Sequence, residues 1–359
     1  MTAAPDFALG VEEELLVVDG ATLALAHTGV GVLRDMVVAP GAGSAHPDTY
    51  AALVEFASPI TRRAAEGAGA VGALRRAARA TGATLLGAGV HPDGAFGDVV
   101  HVPEPRYDEI HTQLRGLLRR TPTCALHVHV GMPDDATTIK AYNGLREHLP
   151  LLQALAANSP FWHGTDSGLA SARAQLFRGY PRGDIPPAFA SFDDFEATVG
   201  GVVAAGDAPD YTFLWWDLRP HPRLGTVEVR AMDAQSALWS VAALAALVHG
   251  LARAAAQAPA RTAWTPREVL MESSFRAARD GLAATLLHDG ALRPVPEIAR
   301  AAVALARPFA REQGSEAELD LVERILAEGG GADRQRAAFA RGGMPALLGH
   351  LAAETAADL

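Results

Sequence analysis

The chain has one cysteine, Cys124, among 359 residues, so no intrachain disulfide can form and the sequence suits a reducing compartment. Basic residues are in deficit: 31 Lys and Arg face 41 Asp and Glu, a net charge of -10. A phosphate-backbone binder normally carries a basic footprint, so no nucleic-acid partner is expected. Long apolar runs are missing too. The most apolar stretch, Val241 to Val248, ends at His249 and falls far short of the ~20 residues a bilayer requires, so no membrane association is expected. The opening MTAAPDFALGVEEELL has neither a basic n-region nor an apolar h-region, which points to a cytoplasmic protein. No Gly-x-x-x-x-Gly-Lys-Ser/Thr loop occurs, and Gly87-Ala88-Gly89 lacks the rest of a dinucleotide fingerprint. Any nucleotide must be held by another architecture.

What is there reads as a folded α+β protein, 49% apolar and 20% charged with few aromatics. The length admits one large domain with a helical appendage or two domains. Strand patterns span Phe7 to Val18, Ala52 to Ala57, Thr84 to Val90, Thr123 to Gly131, Tyr211 to Arg219 and Gly225 to Met232, with Pro220-His221-Pro222 as a turn. Helical spacing covers residues 62 to 80, Tyr107 to Arg120 and Thr138 to Ala157, and Ser191 is placed to cap a further helix. Beyond Ala234 almost everything reads as helix. We therefore divide the chain into a sheet-bearing part, 1–234, and a mainly helical part, 235–359, packed on it. The apolar circumference of Ser236 to Ala258 predicts burial against a domain or a partner.

Residues two apart on a strand share a face, so Glu12 and Glu14 project together while Leu9, Val11, Leu15 and Val17 point the other way. Glu13 falls on the apolar side and is expected at an edge or paired. The same segregation recurs: Glu55 opposes Val54 and Phe56, His127 and His129 oppose Leu126 and Val128, and Glu228 and Arg230 oppose Val227 and Val229. A solvated sheet face favours Thr, Lys, Ser and Gln over a near-exclusive set of Glu, His and Arg. Clustered carboxylates repel unless cations neutralise them, and hard oxygen ligands suit magnesium or manganese. His-x-His by itself is compatible with structural histidines, a zinc site or mixed carboxylate/His ligation. Cys124 belongs to the opposite, core face.

Six motifs, in order Gly10-Val11-Glu12-Glu13-Glu14, Val54-Glu55, Leu126-His127-Val128-His129-Val130, Ala157-Asn158-Ser159-Pro160-Phe161-Trp162, Trp215-Trp216-Asp217-Leu218-Arg219-Pro220 and Thr226-Val227-Glu228-Val229-Arg230, carry a resemblance. They resemble the bacterial carboxylate–amine ligases related to glutamate–cysteine ligase type 2, a branch of the glutamine synthetase superfamily. The run His46-Pro47-Asp48-Thr49-Tyr50 departs from that family's usual sequence. The resemblance implies a glutamine synthetase-like antiparallel sheet lined by the active site, ATP as a substrate and Mg2+ or Mn2+ as cofactor. It implies Glu12, His127 and Glu228 as ligands of one ion, Glu14 and Glu55 as ligands of another, and Arg230 and Arg219 as arginines that grip phosphate or the acid. Asn158, Ser159 and Arg173 in the loop from Asn158 to Arg182, together with His129, are expected to contact substrate.

The implied reaction joins a small carboxylic acid, with glutamate the first candidate, to an amine through an acyl phosphate. The implied assembly is a homodimer. A guanidino-type phosphotransferase of the same fold, a zinc amidohydrolase using His127 and His129, and a non-catalytic relative are the competing readings.

Overall fold

The computed structural model describes residues 6–206, 208–259, 261 and 263–358. Strands β1 (Leu9–Val18), β2 (Ser44–His46), β3 (Leu53–Ala57), β4 (Thr84–Leu86), β5 (Ala125–Gly131), β8 (Leu218–His221) and β9 (Thr226–Asp233) form one antiparallel sheet. Its order is β2-β3-β1-β5-β9-β8, with β4 pairing on β1 past the end of β5, on the edge opposite β3. Two short hairpins lie outside it: β6 (Phe161–Trp162) with β7 (Thr165–Asp166), and β10 (Thr285–His288) with β11 (Ala291–Pro294). The α+β antiparallel architecture agrees with the sequence reading.

The helices are α1 (Gly29–Asp35), α2 (Ala64–Ala80), α3 (Pro105–Leu114), α4 (Asp135–Arg146), α5 (Leu149–Ala156), α6 (Ala172–Phe177), α7 (Phe192–Ala205), α8 (Leu238–Gln257), α9 (Arg267–Asp280), α10 (Val295–Gln313), α11 (Glu316–Glu328) and α12 (Gly331–Ala356). Ser191 caps α7, its hydroxyl accepting from the Asp194 N–H, as its sequence position predicts. The apolar face of the sheet, with Leu9, Val11, Leu126, Val128, Val227 and Val229, packs into one core with α2, α4, α5 and α8.

Helix α8 sits at the centre of that core, which accounts for its apolar circumference. It is long and apolar enough to cross a membrane, unlike the shorter run seen in the sequence, but 83% of its most apolar window is buried within the protein. Its burial therefore supplies no argument for a partner subunit. Strand β9 ends at Asp233 and α8 begins at Leu238, and both contribute to the same hydrophobic core.

Four local readings need correction. Tyr211 to Phe213 is a 3₁₀ turn capped by the Asp210 carboxylate, and the strand begins only at Leu218. The bulky residues of that run suggest a strand, but Phe213 and Trp215 leave the sheet for a separate aromatic cluster with Tyr180. Pro220 and His221 belong to strand, not turn; β8 is an edge, where proline removes no ladder bond that matters. The C-terminal part also contains the β10–β11 hairpin. Strand β4 stops at Leu86 because Gly87 and Gly89 run against the end of β9: a Cβ would lie 2.2 Å from the Gln235 oxygen at Gly87 and 2.6 Å from the Asp233 carboxyl carbon at Gly89.

Candidate active site

Antiparallel register sets the polar face. Glu14 lies opposite Glu55 across β1–β3, Glu12 opposite His127 across β1–β5, His129 opposite Glu228 across β5–β9, and Glu228 opposite Arg219 across β9–β8. Cross-strand partners share a face, so these side chains gather on one side of the sheet. A register shift opposite His127, between Leu126↔Met232 and Val128↔Val229, marks a bulge at Arg230–Ala231. The bulge interrupts the β5–β9 pairing at Arg230, while on the β8 side its N–H donates to the Asp217 carbonyl at 2.8 Å, continuing the register of Leu218↔Val229. It also restores Asp233 to the site side, opposite Ala125, where strict alternation would have sent it to the core.

The acidic cluster has an internal order. Ligand atoms of Glu12, His129 and Glu228 all lie within 4.8 Å of one another. His129 Nε2 is 3.4 Å from Glu12 and 3.7 Å from Glu228, while its Nδ1 is 3.1 Å from the Thr226 hydroxyl. A proton on Nδ1, given to Thr226, leaves the Nε2 lone pair facing both carboxylates. His127 sits one step along, 3.6 Å from Glu12 and 3.9 Å from Glu14. The histidine of this trio is His129, and His127, the one the resemblance implied, lies next to it. Nε2 of both histidines is buried without a hydrogen-bond partner.

The electrostatics separate the carboxylates. Burial pushes Glu12 up, but the adjoining His129 and His127 imidazoles outweigh it and hold the acid below its ordinary value. Burial likewise opposes ionisation of Glu228, and the flanking Arg219 and Arg230 guanidiniums hold it well down. Glu14 is pushed up to about 8 by burial and by Asp48 nearby. Glu55 is raised well above the usual range by burial and by Glu12, Asp48 and Glu14. Burial lowers His127 to about 4, helped by Arg230. One end of the face is therefore charged and compensated, whereas the Glu14–Glu55–Asp48 end holds more carboxylates than the protein's own cations neutralise.

The two predicted arginines differ. Arg219 is committed to protein: Nε and Nη2 reach Glu228 Oε2 at 3.1 and 2.8 Å, and Nη1 donates to the carbonyls of Tyr211, Thr212 and Leu214. Arg230 donates to Glu228 Oε1, and its buried Nε has no partner. Arg173, from α6, reaches the Arg230 carbonyl at 3.3 Å and also keeps an unpartnered Nε.

Asn158 and Ser159 are buried with their polar atoms occupied. The Asn158 amide donates to the Gly87 and Ala234 carbonyls, and its oxygen accepts from Gln335. Ser159 and Ser171 both donate to Asp233, at 2.7 and 2.8 Å. Asn158 and Ser159 anchor the loop that carries Arg173 and do not line open space.

Several residues escaped the sequence reading. Asp48 lies in the loop between β2 and β3, where no periodicity marks a face. Asp233 was concealed by the bulge. Arg75, on α2, is the partner that Glu13 required: both side chains are fully buried, Nε to Oε2 is 2.8 Å, and Arg75 also donates to the Ser236 and Gln235 carbonyls at 2.7 Å. Cys124 is buried core, packed with Leu16, Val18 and Leu86, and burial raises its thiol well above the ordinary value.

Comparison with known proteins now places this geometry. The model of glutamate–cysteine ligase family 2 matches residues 8–350. A Rubrobacter xylanophilus protein with the provisional name glutamate–cysteine ligase 2-3 is 40% identical over 99% of this chain and 98% of its own. A glutamate–cysteine ligase of Halobacterium salinarum is 37% identical over 76% of this chain and 79% of its own. In fold, the crystal structure of a Francisella tularensis glutamate–cysteine ligase in complex with AMP superposes with a TM-score of 0.71, covering the whole of this chain and 91% of that one at 11% identity. The chain belongs to glutamate–cysteine ligase family 2 and is an enzyme of the carboxylate–amine ligase class.

Proposed function

We propose that this protein uses ATP to phosphorylate a carboxylate and then passes the acyl group to an amine, with the chemistry carried out on the polar face of the sheet. The observation that carries this reading is the convergence of Glu12, His129 and Glu228 within 4.8 Å, flanked by the carboxylate-rich end at Glu14 and Glu55. Ligase membership leaves the phosphotransferase, amidohydrolase and scaffold readings without support.

The residues fit magnesium or manganese. Two imidazole nitrogens are buried without partners, and neighbouring carboxylates carry too little compensation to ionise together. Glu12, His129 and Glu228 would hold one ion, and Glu14 and Glu55, with His127 between them and Glu12, a second. Such ions would supply charge neutralisation for the phosphoryl group in transfer.

The chain's own residues do the remainder. A carboxylate oxygen attacks the γ-phosphorus, the bond to the bridging oxygen breaks, and ADP leaves. The amine nitrogen then attacks the acyl carbon, phosphate departs, and the nitrogen loses a proton. Arg230 and Arg173, each with an unpartnered Nε, are available to the transferring group and to a substrate carboxylate. Arg219 is a positioning residue that fixes Glu228. Asn158 and Ser159 organise the loop behind Arg173. A cavity lined by Ala57, Ile60 and Leu224 opens beside Glu12 and His129, and its apolar walls suit the purine base.

The names of the relatives favour glutamate as the acid. ATP and free amino acids also assign the reaction to the cytoplasm. A homodimer is our reading of the assembly, and light scattering that returned 37.5 kDa across micromolar concentrations would reject it.

The experiment is an isotope transfer. With the substrate carboxylate labelled by 18O, one labelled oxygen should appear in the phosphate released per amide formed. Unlabelled phosphate throughout turnover would exclude the acyl phosphate.

A further inference from the structure

A second cavity opens on the Glu14 side of the face, and its walls are of two kinds. Near the sheet lie Glu14, Asp48, His127, Arg173 and Arg230; the other walls are Ile110, Leu114, Leu118, Phe177, Tyr180 and Trp215. Helix α3 and the 3₁₀ turn after it supply the aliphatic roof, and the Trp215–Tyr180 cluster supplies the aromatic side. Leu114 and Leu118 are buried, so the roof is built into the core and is not a loose flap.

Among the described residues the cations lining the cavity are Arg173 and Arg230, both at the sheet end. The far end carries no charge, and its polar groups are the Tyr50 and Tyr180 hydroxyls and the Trp215 indole N–H. Tyr50, whose hydroxyl could serve, already donates to the Leu118 carbonyl at 3.0 Å. Asp48 lines the sheet end of the cavity as a carboxylate able to accept from a ligand ammonium.

A ligand matching these walls has one carboxylate for the arginines, one ammonium for Asp48, and a bulky apolar remainder. A second carboxylate pointing at the roof would be desolvated without a partner, which costs several kcal/mol. A small thiol side chain would leave the aromatic wall unfilled.

We propose that one of the two substrates of this ligase is an amino acid with a branched aliphatic or aromatic side chain, seated against Leu114, Leu118, Tyr180 and Trp215. With glutamate as the acid, that amino acid is the amine. The inference rests on the ligase reading for its role in turnover, but the cavity's preference stands on its own lining.

Calorimetric binding of leucine, phenylalanine, glutamate and cysteine, without ATP, tests the pocket, and ADP release with each as acid or amine tests the role. Leucine or phenylalanine should bind at least tenfold tighter than glutamate or cysteine. The Leu114→Ala/Leu118→Ala variant should lose that preference while Mg-ATP binds within twofold of wild type. Tighter binding of glutamate or cysteine, or no binding of any of the four, would overturn the inference and leave the ligase reading intact. Preferential binding of an apolar amino acid with no ATP turnover in any pairing would support the pocket assignment and defeat the ligase reading. If the double variant misfolds, Leu118→Glu is the substitute, predicted to abolish apolar binding.

Discussion

Three consecutive glutamates on β1 face different surroundings, and exchanging two of them for glutamine should move stability in opposite directions. Glu13 is fully buried and doubly bonded to Arg75. Glu13→Gln leaves a guanidinium with no exposure to water and only the Ser236, Gln235 and Thr355 carbonyls as acceptors. Removing one partner of a buried pair costs about 3–5 kcal/mol, and the surviving carbonyl contacts put this case near the lower figure, about 3 kcal/mol.

Glu14 is the reverse case, because its folded value, about 8, lies above the ordinary 4.5. Between those limits the unfolded state is ionised and the folded one keeps its proton, so stability is lost as pH rises through the window. Glu14→Gln removes that cost and should stabilise the metal-free protein at pH 7 by up to about 3 kcal/mol. The amide oxygen can still accept the Ala125 N–H that Glu14 takes at 2.7 Å.

Metal affinity should follow the opposite order: Mn2+ binding weakens at least about tenfold, ~1.4 kcal/mol, in Glu14→Gln and by less than about threefold in Glu13→Gln. Urea unfolding without metal and Mn2+ titration by electron paramagnetic resonance measure both. A Glu13→Gln protein as stable as wild type, or one that loses more Mn2+ affinity than Glu14→Gln, would refute the reasoning.

Arg230→Lys keeps charge but loses the planar fork, so turnover should fall at least about tenfold, ~1.4 kcal/mol, with a melting temperature within a few degrees of wild type. Near-normal ligation with a clearly lowered melting temperature would make Arg230 a structural partner of Glu228. Because Glu14, pushed up to about 8, keeps its proton near pH 7 without an ion and Glu55 is pushed the same way, magnesium binding near pH 7 should release protons and tighten from pH 6 to 8. Calorimetry in buffers of different ionisation enthalpy reads the proton count, and zero release would contradict the assignment. His249, buried in α8 and bonded to the Phe7 carbonyl, is lowered by burial from 6.5 to about 4. In that window the unfolded state binds the extra proton, so stability falls as pH drops, by about 3 kcal/mol near pH 4 from this group. The slope should flatten in His249→Gln, as urea midpoints at pH 7 and 4.5 will report.

Much of this site was legible because strands report parity directly. Glu12, Glu14, Glu55, His127, His129, Glu228 and Arg230 each stood opposite apolar neighbours in sequence, and one antiparallel sheet gathers them on one face. Local alternation could not show what depends on register between strands: which histidine joins Glu12 and Glu228, or that a bulge returns Asp233 to the site side. Nor could it show that Arg219 is consumed by Glu228 and three carbonyls, because those partners are set by the edge position of β8 and the 3₁₀ turn before it. Asp48 and Arg75 were hidden for a simpler reason. One lies on a loop, the other on a helix far along the chain, and only folding brings them to β1.

The central claim is that this face couples ATP cleavage to amide formation, and product stoichiometry tests it most directly. Mass spectrometry of the organic product, with ADP and phosphate counted in the same reaction, should return one amide, one ADP and one phosphate per turnover, all three requiring magnesium or manganese. A stable phosphorylated product formed without an amine, or ADP release that persists undiminished when Glu12 and Glu228 are both replaced by glutamine, would contradict it.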